Sequence, residues 1–348
     1  MTKRTRYFLV GSVAFLVLGL AAGLLSYFGG IPGAVAEAGV DELRYVPSDA
    51  VVVAYADVDN LMNSHFRQAV KDIEPGEPKG RDEFRDATGI DIERDVDYVV
   101  ACLLPEDAAA PSRNKTGYVL AKGNFDKARI EGFIQSKGGT PQEYRGKSLW
   151  MAPEHAPAAD PDAEANPDAD AAEAPARHAH GEAALAFLEN DVVAFGTPAA
   201  VKRAIDLQLG GQNVLANDEL SKMIRGVQEG NAWAVGRFDV LTRNAQLPQE
   251  LADRIPPITW FSAMGHVNGG VSGRLAVETR DAQAAENLKQ VVNGFMALAR
   301  LQAGSSAKQS EVNAMLNSIR LDESDGNTVA VSFAMPAEAL EILKSHTR

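Results

Sequence analysis

Hydrophobic and polar positions divide the chain into one unbroken apolar block and a long patterned remainder. Tyr7 to Phe28 contains no charged residue and follows Lys3, Arg4 and Arg6. A membrane-spanning helix needs about 20 apolar residues, because the hydrocarbon core is roughly 30 Å thick and a helix rises about 1.5 Å per residue. The run meets that length and reads as a transmembrane helix over 7–28, behind a cytoplasmic basic tail over 1–6. The positive-inside tendency keeps those cations in the cytoplasm and sends the remainder outward. A cleaved secretory signal is the alternative. It would have a shorter apolar region, about 7–15 residues, but Ala34-Val35-Ala36 supplies a small-x-small cleavage site. Either reading exports the chain. Gly19 and Gly23 have the GxxxG spacing that lets helices approach closely in lipid, although Gly is common in spanning helices in any case.

After a tether over 29–46, the pattern becomes that of a folded domain, with a core that begins near Val51. Val51 to Val58 is rich in β-branched residues and reads as a strand, with Asp59 at the N-cap of a following helix. Met62, Phe66, Ala69, Val70 and Ile73 repeat at helical spacing and give that helix one apolar face. A short helix around Asp82 to Ala87 precedes strands over Val96–Leu104 and Gly117–Gly123. Asp126 caps a helix that carries Ile130, Phe133 and Ile134 toward Gly138, and Ser148–Ala152 adds another strand. Ala183–Leu188 and Val192–Gly196 form a hairpin across Asn190-Asp191. Pro198 then opens a helix at the position where its missing amide costs nothing, and a further helix covers Asp218–Val227. Residues 153–182 interrupt this first module, 47–230, with an Ala, Pro and Asp-rich acidic stretch that cannot bury enough surface to offset its ordering entropy. It reads as a disordered loop.

The second module, 231–348, runs the same programme. Ala54 to Leu61 resembles Ala234 to Leu241, in each case a strand leading into an Asp-capped segment. The strand Tyr98–Leu103 has a counterpart in Trp260–Gly265, and Gly117–Phe125 matches Val271–Thr279. The closing hairpins agree best: Val193-Ala194-Phe195-Gly196-Thr197-Pro198-Ala199 resembles Val331-Ser332-Phe333-Ala334-Met335-Pro336-Ala337. Asn268-Gly269 marks a type I′ hairpin turn in the second module. The longest helix, Ala282–Ala303, directs Leu288, Val291, Val292, Phe295, Met296 and Leu301 toward a core. Paired strands between helices imply an α+β fold: two repeated modules of mainly antiparallel sheet with helices packed on one face, preceded by one N-terminal transmembrane helix.

The formal charge of −13 argues against nucleic acid or anionic lipid as an electrostatic partner, since both select clustered Lys and Arg. The single cysteine, Cys102, rules out a disulfide within the chain and sits in an apolar strand, where a buried inert thiol is expected. Asp91, Glu93, Asp95 and Asp97 alternate as calcium-loop ligands do, but Val96 and Cys102 hold the positions where such a loop needs Gly and Glu. A solvated strand edge is the better reading. His155, His178, His180 and Glu182 could offer nitrogens and an oxygen to a transition metal, but their loop supplies neither fixed geometry nor outer-shell support. Ser64 and His65 are neighbours that would point apart on a helix, and no nucleophile elbow occurs in the chain. Gly269, Gly270 and Gly273 do not make a phosphate-cradling pattern. Trp150, Trp233 and Trp260 fall in strands and read as core. No catalytic, cofactor-binding or metal-binding residue is assigned, and no cofactor is expected.

The membrane segment, the Pro47-Ser48-Asp49-Ala50-Val51-Val52-Val53 opening and the Gly89 to Val96 passage together resemble bacterial exported, membrane-anchored proteins of the domain-of-unknown-function kind, built from duplicated α+β modules. The resemblance implies no activity and no functional residues. The chain therefore reads as a single-pass inner-membrane protein with its C-terminal region extracytoplasmic, a binding or scaffolding component of the bacterial envelope and not an enzyme. Its partners are the membrane, through 7–28, and a protein of the envelope. An envelope enzyme with a site between the modules and a small-molecule or lipid carrier are the alternatives, and each requires a cleft or cavity at a seam.

Overall fold

The computed structural model describes residues 40–64, 85–86, 88–105, 116–152, 183–243, 256–267, 270–303, 317–322 and 326–336. Tyr7–Phe28, the acidic stretch 153–182, the helical face from Phe66 to Ile73 and the Asn268-Gly269 turn lie outside them. In chain order the elements are α1 (Val40–Leu43), β1 (Val52–Asp57), α2 (Val58–Met62), α3 (Ile92–Asp95), β2 (Val96–Leu103), β3 (Gly117–Gly123), α4 (Lys127–Ser136), β4 (Thr140–Tyr144), β5 (Lys147–Met151), β6 (Ala184–Phe187), β7 (Val192–Gly196) and α5 (Pro198–Gln208). A 3-10 turn (Val214–Ala216), α6 (Asp218–Arg225), β8 (Ala232–Arg237), α7 (Phe238–Arg243), β9 (Ile258–Val267), β10 (Gly270–Thr279), α8 (Ala282–Ala303), β11 (Arg320–Asp322) and β12 (Thr328–Pro336) follow.

All the strands among the described residues belong to one 12-stranded antiparallel sheet in the order β11-β12-β10-β9-β8-β1-β2-β3-β7-β6-β5-β4. The fold is α+β, as the pattern predicted, but the expected pair of separate sheets is one sheet, because β1 and β8 pair along their length in the middle of it. Ala54 lies directly opposite Ala234, the residue matched to it in sequence. The strands outside them also follow the sequence match, with Tyr98 opposite Asp57 and Trp260 opposite Arg237. One pair further out the register slides: Lys122 lies opposite Tyr98, whereas Glu278, not the aligned Ala276, lies opposite Trp260. A slide of two residues keeps every side chain on its original face, since strand side chains alternate.

Helices cover both faces, not one. On one face, Val201, Ala204 and Ile205 of α5 and Leu220 and Ile224 of α6 pack with Val53, Tyr55, Val100, Cys102, Tyr118 and Leu120. On the other, Val58 and Met62 of α2 join Ala56, Val99 and Val119, Ile130 of α4 joins Ile90 and Phe187, and Phe238 of α7 packs near Val52, Ala234 and Phe261. The reason lies in the central strands: Val51, Val52 and Val53 are consecutive and all buried, so both faces of β1 are apolar and both need cover.

Helix starts follow the capping chemistry of the sequence with one displacement. Asp126 accepts from the Arg129 amide at the start of α4, and Pro198 stands in the first turn of α5. Asp57, not Asp59, caps α2, its carboxylate accepting from the Asn60 backbone amide at 2.9 Å. β1 therefore runs into its helix without a linker. β4 is a strand the sequence concealed: Pro141 and four exposed positions give it no apolar alternation. Edge strands tolerate such residues. It returns through Arg145 and Gly146, both with positive φ, into β5, which is the geometry of a type I′ hairpin.

Candidate functional site

The segment that joins the N-terminal region to the sheet is built in as a strap. Leu43, Tyr45, Val46 and Ala50 are buried in the main core, so the core begins ahead of Val51. Tyr118 in β3 donates its hydroxyl hydrogen to the Tyr45 carbonyl. Val214 donates its amide to the Val46 carbonyl at 2.7 Å, Ser48 donates to Gln212 at 3.1 Å, and Asn217 Nδ2 donates to the Ser48 carbonyl at 2.7 Å. Arg203 of α5 grips Asp49 through both terminal nitrogens, at 2.5 and 3.2 Å. The strap runs from the end of the sheet where Glu42 meets Lys122 of β3 (3.7 Å) to the opposite end, where Val51 donates to the Leu103 carbonyl.

Beside the strap, aromatic rings cross the centre of the sheet. Trp233 of β8 stacks on Tyr55 of β1 with centroids 5.5 Å apart, and Tyr55 meets Tyr98 of β2 at 5.7 Å. The Lys122 ammonium lies 5.7 Å from the Tyr98 ring centroid. The row crosses the β1–β8 seam and fills it. Burial, followed by the Glu42 carboxylate, pushes the Tyr98 phenol well above its ordinary pKa, so it stays protonated. Among the described residues, neither the Tyr98 hydroxyl nor Glu42 Oε2 makes a hydrogen bond of ordinary geometry.

A shallow polar groove of about 400 Å³ lies between the strap and the end of α5, lined by Ser48, Asp49, Arg203, Asp206, Gly210 and Gln212. Its charges are already paired within the protein: Asp49 with Arg203, and Asp206 with Arg145 (2.5 Å) and the Tyr144 hydroxyl (3.0 Å). Carboxylates held this way are positioned for structure. No local pattern marks this groove, because Asp49, Arg145 and Asp206 are far apart in the chain and come together only through the strap and the β4–β5 turn.

The residues singled out in the sequence take structural places. Cys102 is fully buried, with burial pushing its thiol up to about 12. Asp91 caps α3 by accepting from the Glu93 amide, and Asp95 accepts from the Asp91 amide at 2.7 Å. Asp91, Glu93 and Asp95 therefore belong to a helical turn, whereas Asp97 is exposed on β2 as a solvated strand position. Trp150, Trp233 and Trp260 are buried. Ser64 donates to the Leu61 carbonyl, and His65, His155, His178, His180 and Glu182 lie outside the described residues. Among the described residues no group of His, Cys, Asp and Glu has a metal-holding arrangement, and no helix is long and apolar enough to cross a membrane.

Among solved structures, the chain is similar to crystal form I of TP0453, with a TM-score of 0.47 and 12% identity, over 89% of this chain and 99% of that one. At that score the likeness carries no argument about activity. No family model matches the chain and no curated protein matches it.

Proposed function

We propose that this chain is a single-pass, membrane-anchored extracytoplasmic protein of a bacterial envelope, built by duplication of one α+β module, that binds or scaffolds a protein partner. The observation that carries the reading is the continuous pairing of β1 with β8. It fills the seam where an enzyme or carrier built from two modules would hold its cleft, and it leaves the outward surfaces of the helices and the edges of the sheet for binding. The strand order supports duplication: β2, β3 and β7 follow outward from β1 as β9, β10 and β12 follow outward from β8. The charge-free run Tyr7–Phe28 behind Lys3, Arg4 and Arg6 supports the anchor, and the strap supports a firm join between that anchor and the sheet. Crosslinking in intact cells at native abundance, followed by mass spectrometry, is the test. The expected result is a reproducible crosslinked envelope protein. A chain recovered with no crosslinked protein would count against the scaffolding role.

A further inference from the structure

The helix α8 presents more apolar surface than the sheet can take. Leu288, Val292 and Met296 are half-buried, but Val291, Phe295 and Leu298, spaced four and three residues apart, are exposed, and Leu301 one turn on is 76% exposed. Residues at such spacing share one face of a helix, so the stripe is continuous over the C-terminal half of α8. Isolated exposed apolar side chains are ordinary, but contiguous ones mark an interaction surface.

The topology places this stripe. β10 ends at Thr279, one residue beyond the Glu278–Thr328 pair, and α8 starts shortly after it, with Ala284 and Ala285 buried. The chain rejoins the sheet at Arg320, opposite Ser332 in the middle of β12, and β11 runs from there toward Thr328, so the chain enters it from the Pro336 side. A helix of 22 residues spans about 33 Å, and β10, with 10 residues, spans about 34 Å. The bare half of α8 therefore reaches the end of the sheet marked by Val267, Gly270 and Pro336. The pairings across β9, β8, β1 and β2 show this to be the end at which Asp57, Tyr98 and Lys122 lie. It is also where Glu42 sits against Lys122 and the strap begins.

Distance completes the argument. Residues 29–39 separate the apolar run from α1, and at ~3.3–3.6 Å per residue they reach no more than about 40 Å. Twelve strands at ~4.8 Å spacing make a sheet about 53 Å wide. β10 lies five strand positions from β3, about 24 Å at the same spacing. Because the stripe is at the tied end, a lead of that length lets it reach the bilayer.

We propose that Val291, Phe295, Leu298 and Leu301 of α8 rest in the interfacial layer of the bilayer that holds the N-terminal anchor, making a second point of attachment. This rests on the anchored reading above. The contact is apolar and not electrostatic, in keeping with a net charge of −13 that repels anionic headgroups.

The test uses the full chain reconstituted in phosphatidylcholine vesicles, with Phe295→Cys carrying an environment-sensitive fluorophore and Glu286→Cys as a control outside the stripe. Cys102 is buried, so labelling selects the introduced thiol, and unsubstituted protein sets the background. The expected result is a blue-shifted Phe295→Cys label quenched by shallow spin-labelled lipids, an unshifted control, and loss of most of that quenching when Leu301→Asp is added. Co-flotation with vesicles but a water-exposed label overturns the stripe contact and leaves the anchor standing. A shifted label that lipid quenchers cannot reach overturns it in favour of a protein cover, whether another copy or a segment of the same chain. Failure to co-float defeats the anchored reading and the stripe contact with it.

Discussion

Asp57 has no exposed surface at the end of β1, and its two carboxylate oxygens accept from Asn60 Nδ2 and from the Asn60 backbone amide. Burial, as the largest influence, holds its carboxyl above the ordinary 3.8. A folded-state value raised above the unfolded one contributes stability that is complete below the unfolded value and is lost as pH rises through the folded one. Asp57→Ala removes the cap, at a cost of about 0.5–2 kcal/mol, and also removes that titration. In urea unfolding the gap between the two proteins should be wider at about pH 3.5 than at about pH 7, and equal gaps would contradict the raised value. The sequence pointed to Asp59 instead, because β-branched residues continue through Val58. Only the backbone path of the finished strand shows that the chain turns helical at Val58.

The strap shows how an element can be invisible as secondary structure and still carry the core. Tyr45 is 2% exposed, and its carbonyl and ring are both held, the ring by Arg44 with the guanidinium 4.8 Å from the centroid. Tyr45→Ala should cost about 3–5 kcal/mol, as other large buried side chains do. Tyr118→Phe leaves the buried Tyr45 carbonyl less well satisfied and should cost about 1–3 kcal/mol, so Tyr45→Ala should lower the denaturant midpoint more than Tyr118→Phe. The central strand pair depends on close backbone approach. A Cβ on Gly236 would lie 2.7 Å from the Val51 carbonyl oxygen and 2.8 Å from a Val52 methyl, whereas one on Gly132 in α4 would meet nothing within 4 Å. Gly236→Ala should therefore lower the melting temperature, while Gly132→Ala, in a helix interior, should stabilise by roughly 0.5–1 kcal/mol. A neutral Gly236→Ala would mean that β8 does not pair tightly with β1.

At the scale of the whole molecule, one sheet makes one cooperative unit. Trp150 reports on β5 and Trp233 and Trp260 on the strands beyond the seam, so tryptophan fluorescence and far-ultraviolet circular dichroism should give coincident unfolding curves. Two resolved transitions would show that the halves unfold separately. Apolar runs such as Val96–Leu104, the cap at Asp126 and Pro198 in the first turn of α5 made strands and helix starts legible, because strand-forming side chains, capping and fixed φ act within a few residues. β4 was not legible, since an edge strand needs no apolar face. The charged pairs of the groove were not legible either, because ion pairs between distant residues leave no mark on local pattern. By itself the sequence determined the α+β class, most element positions and the matching of Ala54 to Ala234. Tertiary structure alone decided that these two alanines face each other across one sheet, that both faces are covered and that the strap is built into the core. Those outcomes depend on which edges pair and which buried faces need cover, and both are settled by long-range burial and hydrogen bonding that no local stretch of sequence records.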